Sequence, residues 1–147
     1  EDCSPINKAG ALQVWVALVR TGAIWDFKKD VQEVVKGSYV VLGDEKMNYQ
    51  AVANIHYGYV GRAAGFLSDF LEWGAGIFQI KQWWQVDPSK IGPKETKFDQ
   101  PFDNWSIRFG IYLYEKYGQS PSSLTKISFT GALKEFVQNN PVPPADD

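Results

Sequence analysis

The sequence predicts a mainly α fold with a small β element, an α+β domain whose helical core is interrupted by one long loop at about residues 87–101. Three observations carry this. Apolar residues recur at three- and four-residue spacing over most of the chain, as the buried stripe of an amphipathic helix requires. A single short β-branched run, SYVVL from Ser38 to Leu42, follows Gly37 and precedes Gly43, the mark of a brief strand. The stretch from Asp87 to Pro101 holds three prolines, Gly92 and scattered charge without periodicity, the pattern of a loop kept for function in a compact domain. At 147 residues and 44% hydrophobic, the chain can build one real core but not two, so residues 1–147 are expected to form one domain, with 1–8 and 140–147 flexible.

In chain order, Leu12, Trp15, Val16 and Val19 recur at helical spacing between Ala9 and Arg20, with Thr21-Gly22 as a stop. Val31, Val34 and Val35 mark a second, short helix ending at Gly37. The strand Ser38–Leu42 needs a partner, and Lys126–Phe129 is the expected one. Asn48 to Ala64 reads as a helix despite its glycines. Phe66 to Trp84 continues as one or two apolar helices broken near Gly74-Ala75-Gly76, and these two segments are expected to form the core. Helical pattern returns from Asp103 to Tyr117, with Phe102, Trp105, Phe109, Tyr112 and Lys116 on one stripe. Thr130 to Asn139 is a last short helix, and PVPPADD is a frayed tail.

Several function classes lose ground at once. No run of about 18 apolar residues occurs, so stable membrane insertion is not expected. The opening EDCSPINKAG lacks the basic and then apolar pattern of a signal peptide, which suggests a removed address or a piece of a larger chain. The net charge of −2 argues against a partner dominated by phosphate. With Cys3 the only cysteine and His56 the only histidine, no internal disulfide and no His/Cys zinc cage can form. Neither a metal nor a cofactor is expected.

The stretch NIHYGYVGRAAGF, from Asn54 to Phe66, holds three glycines, two tyrosines, an arginine and that histidine. At about 100° per residue, Asn54, Tyr57, Gly58, Gly61 and Gly65 fall within roughly 60° of one line along a helix. Each glycine costs about 1 kcal/mol against alanine there. Such a stripe therefore needs a close approach, either by a packed helix or by a ligand. His56 falls about 160° to 200° away, so its ring is either a general base or a structural histidine. Arg62 lies about 80° from the stripe, within reach of a groove edge.

FDQPFDNW places Asp99 and Asp103 four residues apart at a helix entrance marked by Pro101. Two carboxylates so spaced can share a proton or divide acid and base roles, or else serve as helix-start residues facing free N–H groups. Trp25-Asp26-Phe27-Lys28 alternates aromatic and charged residues, which suits a sugar or peptide platform and equally suits an aspartate cap between core aromatics. Trp73, Trp83 and Trp84 raise the prospect of a carbohydrate face, though tryptophans in small domains are mostly core. GxSxG, P-loop, HExxH and EF-hand patterns are absent.

The ordered set WDFKK, NIHYGYVGRAAGF, EWGAGIFQ and FDQPFDNWSIRFGIYLYEKYG resembles the bacterial toxin 44 family, also called polymorphic toxin type 44, over about residues 12 to 118. The resemblance implies an antibacterial effector domain carried on a larger secreted or injected polypeptide, with a cognate immunity protein guarding the producer. By motif position, Asp26, Lys28, Asn54, Tyr57, Asp99 and Asp103 correspond to the family's polar positions, while members can carry Asn where this chain has His56.

The leading expectation is a hydrolase of the cell envelope that cleaves peptidoglycan in the periplasm. The acidic character, the wealth of Trp and Tyr, and GAGIFQIKQ, faintly similar to a segment of lysozyme-like enzymes, motivate it; Glu72 stands too close to that segment for the usual layout. The candidate catalytic set is Asp99, Asp103, Tyr57, Asn54 and His56, with Asp26, Lys28, Arg62 and Trp25 as substrate contacts. The alternatives are a metal-independent nuclease or ribonuclease acting in the cytoplasm through His56 or Lys28 with Tyr57 and Arg62, and a non-enzymatic domain that perturbs membranes through residues 66–84. Asp69, Glu72 and Lys81 interrupt that last run and make insertion costly.

Overall fold

The computed structural model describes residues 14–15, 17–19, 24 and 28–144. Of the first expected helix, residues 14–15 and 17–19 are helical and Trp15 is buried. Cys3, Trp25 and Asp26 lie outside the described residues. Helix α1 (Lys28–Val35) follows, then strands β1 (Tyr39–Leu42) and β2 (Glu45–Asn48), then α2 (Gln50–Ala63), α3 (Ser68–Trp83), α4 (Pro101–Tyr117) and α5 (Lys126–Asn139). Between α3 and α4 the long loop carries two short 3-10 turns, Pro88–Lys90 and Lys94–Thr96. The architecture is mainly helical with one small antiparallel sheet.

The strand partner differs from the expected one. β1 pairs with β2 in the register Tyr39↔Asn48 to Leu42↔Glu45, closed by Gly43-Asp44 with Gly43 at φ 64°, a conformation glycine adopts without steric cost. Lys126–Phe129 instead opens α5. The Ser128 N–H donates to Thr125 Oγ1 at 3.2 Å, and the Thr125 N–H donates to Ser128 Oγ at 2.7 Å. This reciprocal cap satisfies two N–H groups that a helix start leaves orphaned. It draws Ile127 and Phe129 into a helix against their strand-like composition.

The core is built by α2, α4 and α5, and α2 on α4 is the densest pairing. The glycines explain how closely those two approach. A Cβ at Gly58 would lie 2.2 Å from the Ile107 carbonyl oxygen, and one at Gly110 would lie 2.0 Å from that of Ile55. The helices therefore meet backbone to backbone. On the α2 stripe, then, Gly58 meets α4, Gly61 meets Leu71 and Trp15, and Gly65 lies beyond the helix at φ 88° with open space around it. Ile55, Trp105, Phe109, Leu113, Leu133 and Phe136 fill the main cluster. A second cluster holds Trp15, Leu71, Ile107 and Ile111.

Helix α3 departs from expectation twice. It is continuous through Gly74-Ala75-Gly76, and it buries only Leu71 and Gly76. It is thus a flank of the core and not half of it, and Phe70, Trp73, Ile77 and Phe78 remain exposed. Beyond α5, the Trp105 indole N–H donates to the Asn140 carbonyl at 2.8 Å, and Val142 packs against the main cluster.

Candidate active site

Pro101 opens α4 at a position where its missing N–H is no loss. Two residues on, Asp103 sits in the first turn, but its side chain does not cap the helix: Oδ1 accepts from Asn54 Nδ2 of α2 at 2.8 Å. Asp99, two residues before the helix, is 2% exposed. Its Oδ1 accepts the Gln100 N–H at 3.0 Å, whereas Oδ2 is buried and accepts no hydrogen bond among the described residues. The approach to Asp99 is strained. Lys97 and Phe98 take φ of 56° and 71°, a region that costs a non-glycine residue about 1–2 kcal/mol.

Two glycines and a hydroxyl hold that approach in place. A Cβ at Gly76 of α3 would fall 1.6 Å from the Lys97 carbonyl oxygen, and one at Gly92 would fall 1.6 Å from that of Asp99. Thr96 Oγ1 donates to the Asp99 carbonyl at 2.5 Å. The loop thus runs against α3 at backbone contact, and the carboxyl of Asp99 is delivered beneath it.

Burial pushes the Asp99 carboxyl up to about 7, and the neighbouring charge of Asp103 pushes the same way; the Gln100 N–H, the Gln79 amide and the Lys28 cation oppose it. Near neutrality Asp99 therefore carries a proton much of the time. Gln79 Oε1 is likewise buried without a donor, and a protonated carboxyl can donate where a carboxylate cannot. Burial, assisted by the charge of Asp99, raises Tyr57 to about 12, with the Trp15 indole opposing. Its hydroxyl donates to the Leu71 carbonyl at 3.2 Å, so Tyr57 is a neutral donor in this wall.

A stability prediction follows from Asp99. The unfolded chain loses that proton near the ordinary 3.8, the folded chain only near 7. Between those values the folded state binds more protons, so stability falls as pH rises through the window, by roughly 4 kcal/mol in all. Asp99→Asn removes the ionisable group and supplies an N–H donor. Its urea midpoint, followed from pH 4 to 8, is expected to gain steadily on that of the wild type; parallel curves would mean that Asp99 is ionised without penalty.

The model of the family described as bacterial toxin 44 matches residues 14–116. The chain belongs to that family. The matched span contains Asn54, Tyr57, Asp99 and Asp103, and it ends before α5. Neither a curated protein nor a solved structure matches the chain.

The remaining candidates of this toxin 44 domain are placed as follows. Lys28, first residue of α1, acts on Asp99 through its charge. His56 is partly buried, and burial holds its imidazole below the ordinary value, so the ring is neutral at pH 7. Arg62 is engaged at the end of α2: Nη1 donates to the Phe66 carbonyl at 2.5 Å and Nε lies 3.8 Å from Glu115. Trp25 and Asp26 lie outside the described residues.

Gln79, Asn104, Lys97, Glu72 and Asp69 were not anticipated at the site. Gln79 reaches Asp99 from α3. Asn104, beside Asp103, donates from Nδ2 to Glu72 Oε2 at 3.2 Å, and Lys97 Nζ lies 3.3 Å from Glu72 Oε1 and 2.6 Å from Asp69 Oδ1. The available signal was Gly76, a helix glycine that calls for a close approach. Among the described residues no group of three or more His, Cys, Asp and Glu is arranged to hold a metal ion, and no helix is long and apolar enough to cross a membrane. A depression of about 200 Å³ lies between the β1–β2 turn and α5, beside the Lys134–Asp44 ion pair, and Asp99 and Asp103 do not line it.

Proposed function

We propose that this toxin 44 domain is a hydrolase of the bacterial cell envelope that cleaves peptidoglycan. The observation that carries the reading is the unequal carboxyl pair: Asp99 buried, its carboxyl pushed up to about 7, and Asp103 partly exposed and held by Asn54. A pair that keeps one proton between two carboxyls offers base and acid at the same pH. Asp103, as the carboxylate, takes the proton of the attacking water and hands it to the leaving oxygen, so the pair ends the step with the protons it began with. Asp99 keeps the pair from losing both protons. Asn54 fixes the Asp103 carboxylate, and Tyr57 closes the wall as a neutral donor.

Membership in a toxin family supports delivery into a target cell and a cognate immunity protein in the producer, with the domain carried on a larger secreted polypeptide. The periplasm is then the site of action. Incubating the purified domain with isolated sacculi should release soluble muropeptides. No release, together with degraded RNA in cells that express the domain in the cytoplasm, would replace this reading with a nuclease.

A further inference from the structure

We infer that Trp73 and Phe98 form a sugar-stacking subsite that seats the glycan strand of the substrate beside the Asp99–Asp103 pair. The inference rests on the envelope-hydrolase reading and names the part of the substrate recognised. Trp73 is 42% exposed on α3, and its ring lies 6.0 Å from that of Phe98 at 55°. The indole is thus a partly exposed apolar plate with the Phe98 ring tilted against it. Its margin is polar: Glu72 precedes it, and Lys97 Nζ lies between Glu72 and Asp69. A pyranose ring has the complementary form, an apolar C–H face rimmed by hydroxyls. An amphipathic aromatic binds such a face at little cost in side-chain freedom.

Two separate links tie this plate to the carboxyl pair. Phe98 immediately precedes Asp99 in the clamped loop, and Glu72, immediately before Trp73, accepts from Asn104, which immediately follows Asp103. These links join the plate and the pair through one loop and one helix-to-helix hydrogen bond.

The same margin disfavours the other polymers a toxin could meet. Lys97 is matched by two carboxylates, so the rim offers phosphates no net positive charge. Asp69 and Glu72, on the same helix as the indole, and Lys97, which pairs with both, also make entry of this helix into a lipid phase costly.

The test measures binding and turnover separately on purified sacculi and on single-stranded RNA. Wild type, Trp73→Ala, Trp73→Phe and Asp103→Asn are compared, the last to hold substrate without consuming it, with folding checked by circular dichroism. Trp73→Ala, introduced alone and into Asp103→Asn, is expected to weaken sacculus binding roughly tenfold, with KM for soluble glycan fragments raised and kcat little changed; Trp73→Phe should keep most of the affinity. Folded Trp73→Ala that binds sacculi as well as wild type overturns the subsite, even if the wild type cleaves them. Sacculus binding that depends on Trp73 without any soluble product upholds the subsite and removes the hydrolase reading. RNA binding lost with Trp73 in place of glycan binding overturns the assignment of the ligand.

Discussion

Asp103→Asn is expected to keep the fold and to lose killing and sacculus turnover by at least about a hundredfold, the scale at which one positioned acid or base contributes. The substituted amide still presents an oxygen to Asn54 Nδ2, which now donates to Asp103 at 2.8 Å, so the tie between α2 and α4 survives. What disappears is the charge and the basicity. Losing that charge also relieves one of the two causes that raise Asp99, so Asp99 should titrate lower in this variant. A folded Asp103→Asn protein with full toxicity would remove the carboxyl pair from the mechanism.

Gly58→Ala is expected to cost several kcal/mol, a large part of the 5–15 kcal/mol that holds a domain of this size together. The new methyl would lie 2.2 Å from the Ile107 carbonyl oxygen. Backbone on both sides can yield only by parting α2 from α4. Overpacking of this kind costs about 1–3 kcal/mol where side chains can give way and more where they cannot, which exceeds the ~1 kcal/mol that alanine gains in a helix. Gly131→Ala in α5, where nothing lies within 4 Å, is the matched control and should be neutral or stabilising by up to about 1 kcal/mol. Equal urea midpoints for the two variants would show that α2 and α4 do not meet as described.

Much of the helical frame was legible from apolar spacing, because α2 and α4 each bury a full stripe. What was missed follows from chemistry that spacing does not weigh. Glu45-Lys46-Met47-Asn48 is too polar to read as a strand, yet Gly43-Asp44 before it is a two-residue hairpin signal. Ile127 and Phe129 look like strand residues until the Thr125–Ser128 cap is counted. Gly74 and Gly76 suggested a break in α3; Gly76 instead admits the Lys97 backbone.

At the candidate site, the spacing of Asp99 and Asp103 could be read directly, and so could the helix start that Pro101 marks. That Asp99 would be buried, and so raised, could not. Its burial depends on Gly76 approaching from α3 and on Gly92 folding back onto it within the same loop. Gln79, Glu72 and Asn104 are ordinary polar residues of helix surfaces until α3 and α4 come together.

The bond between Asn54 and Asp103 joins residues 49 positions apart. For an unfolded chain, closing a loop of that length carries a length-dependent entropy cost of about 3.5 kcal/mol. A chain that has been synthesised only through α3 contains Asn54 and Tyr57 but neither aspartate. The Asn54–Asp103 tie can therefore form only once α4 has been made and lies against α2.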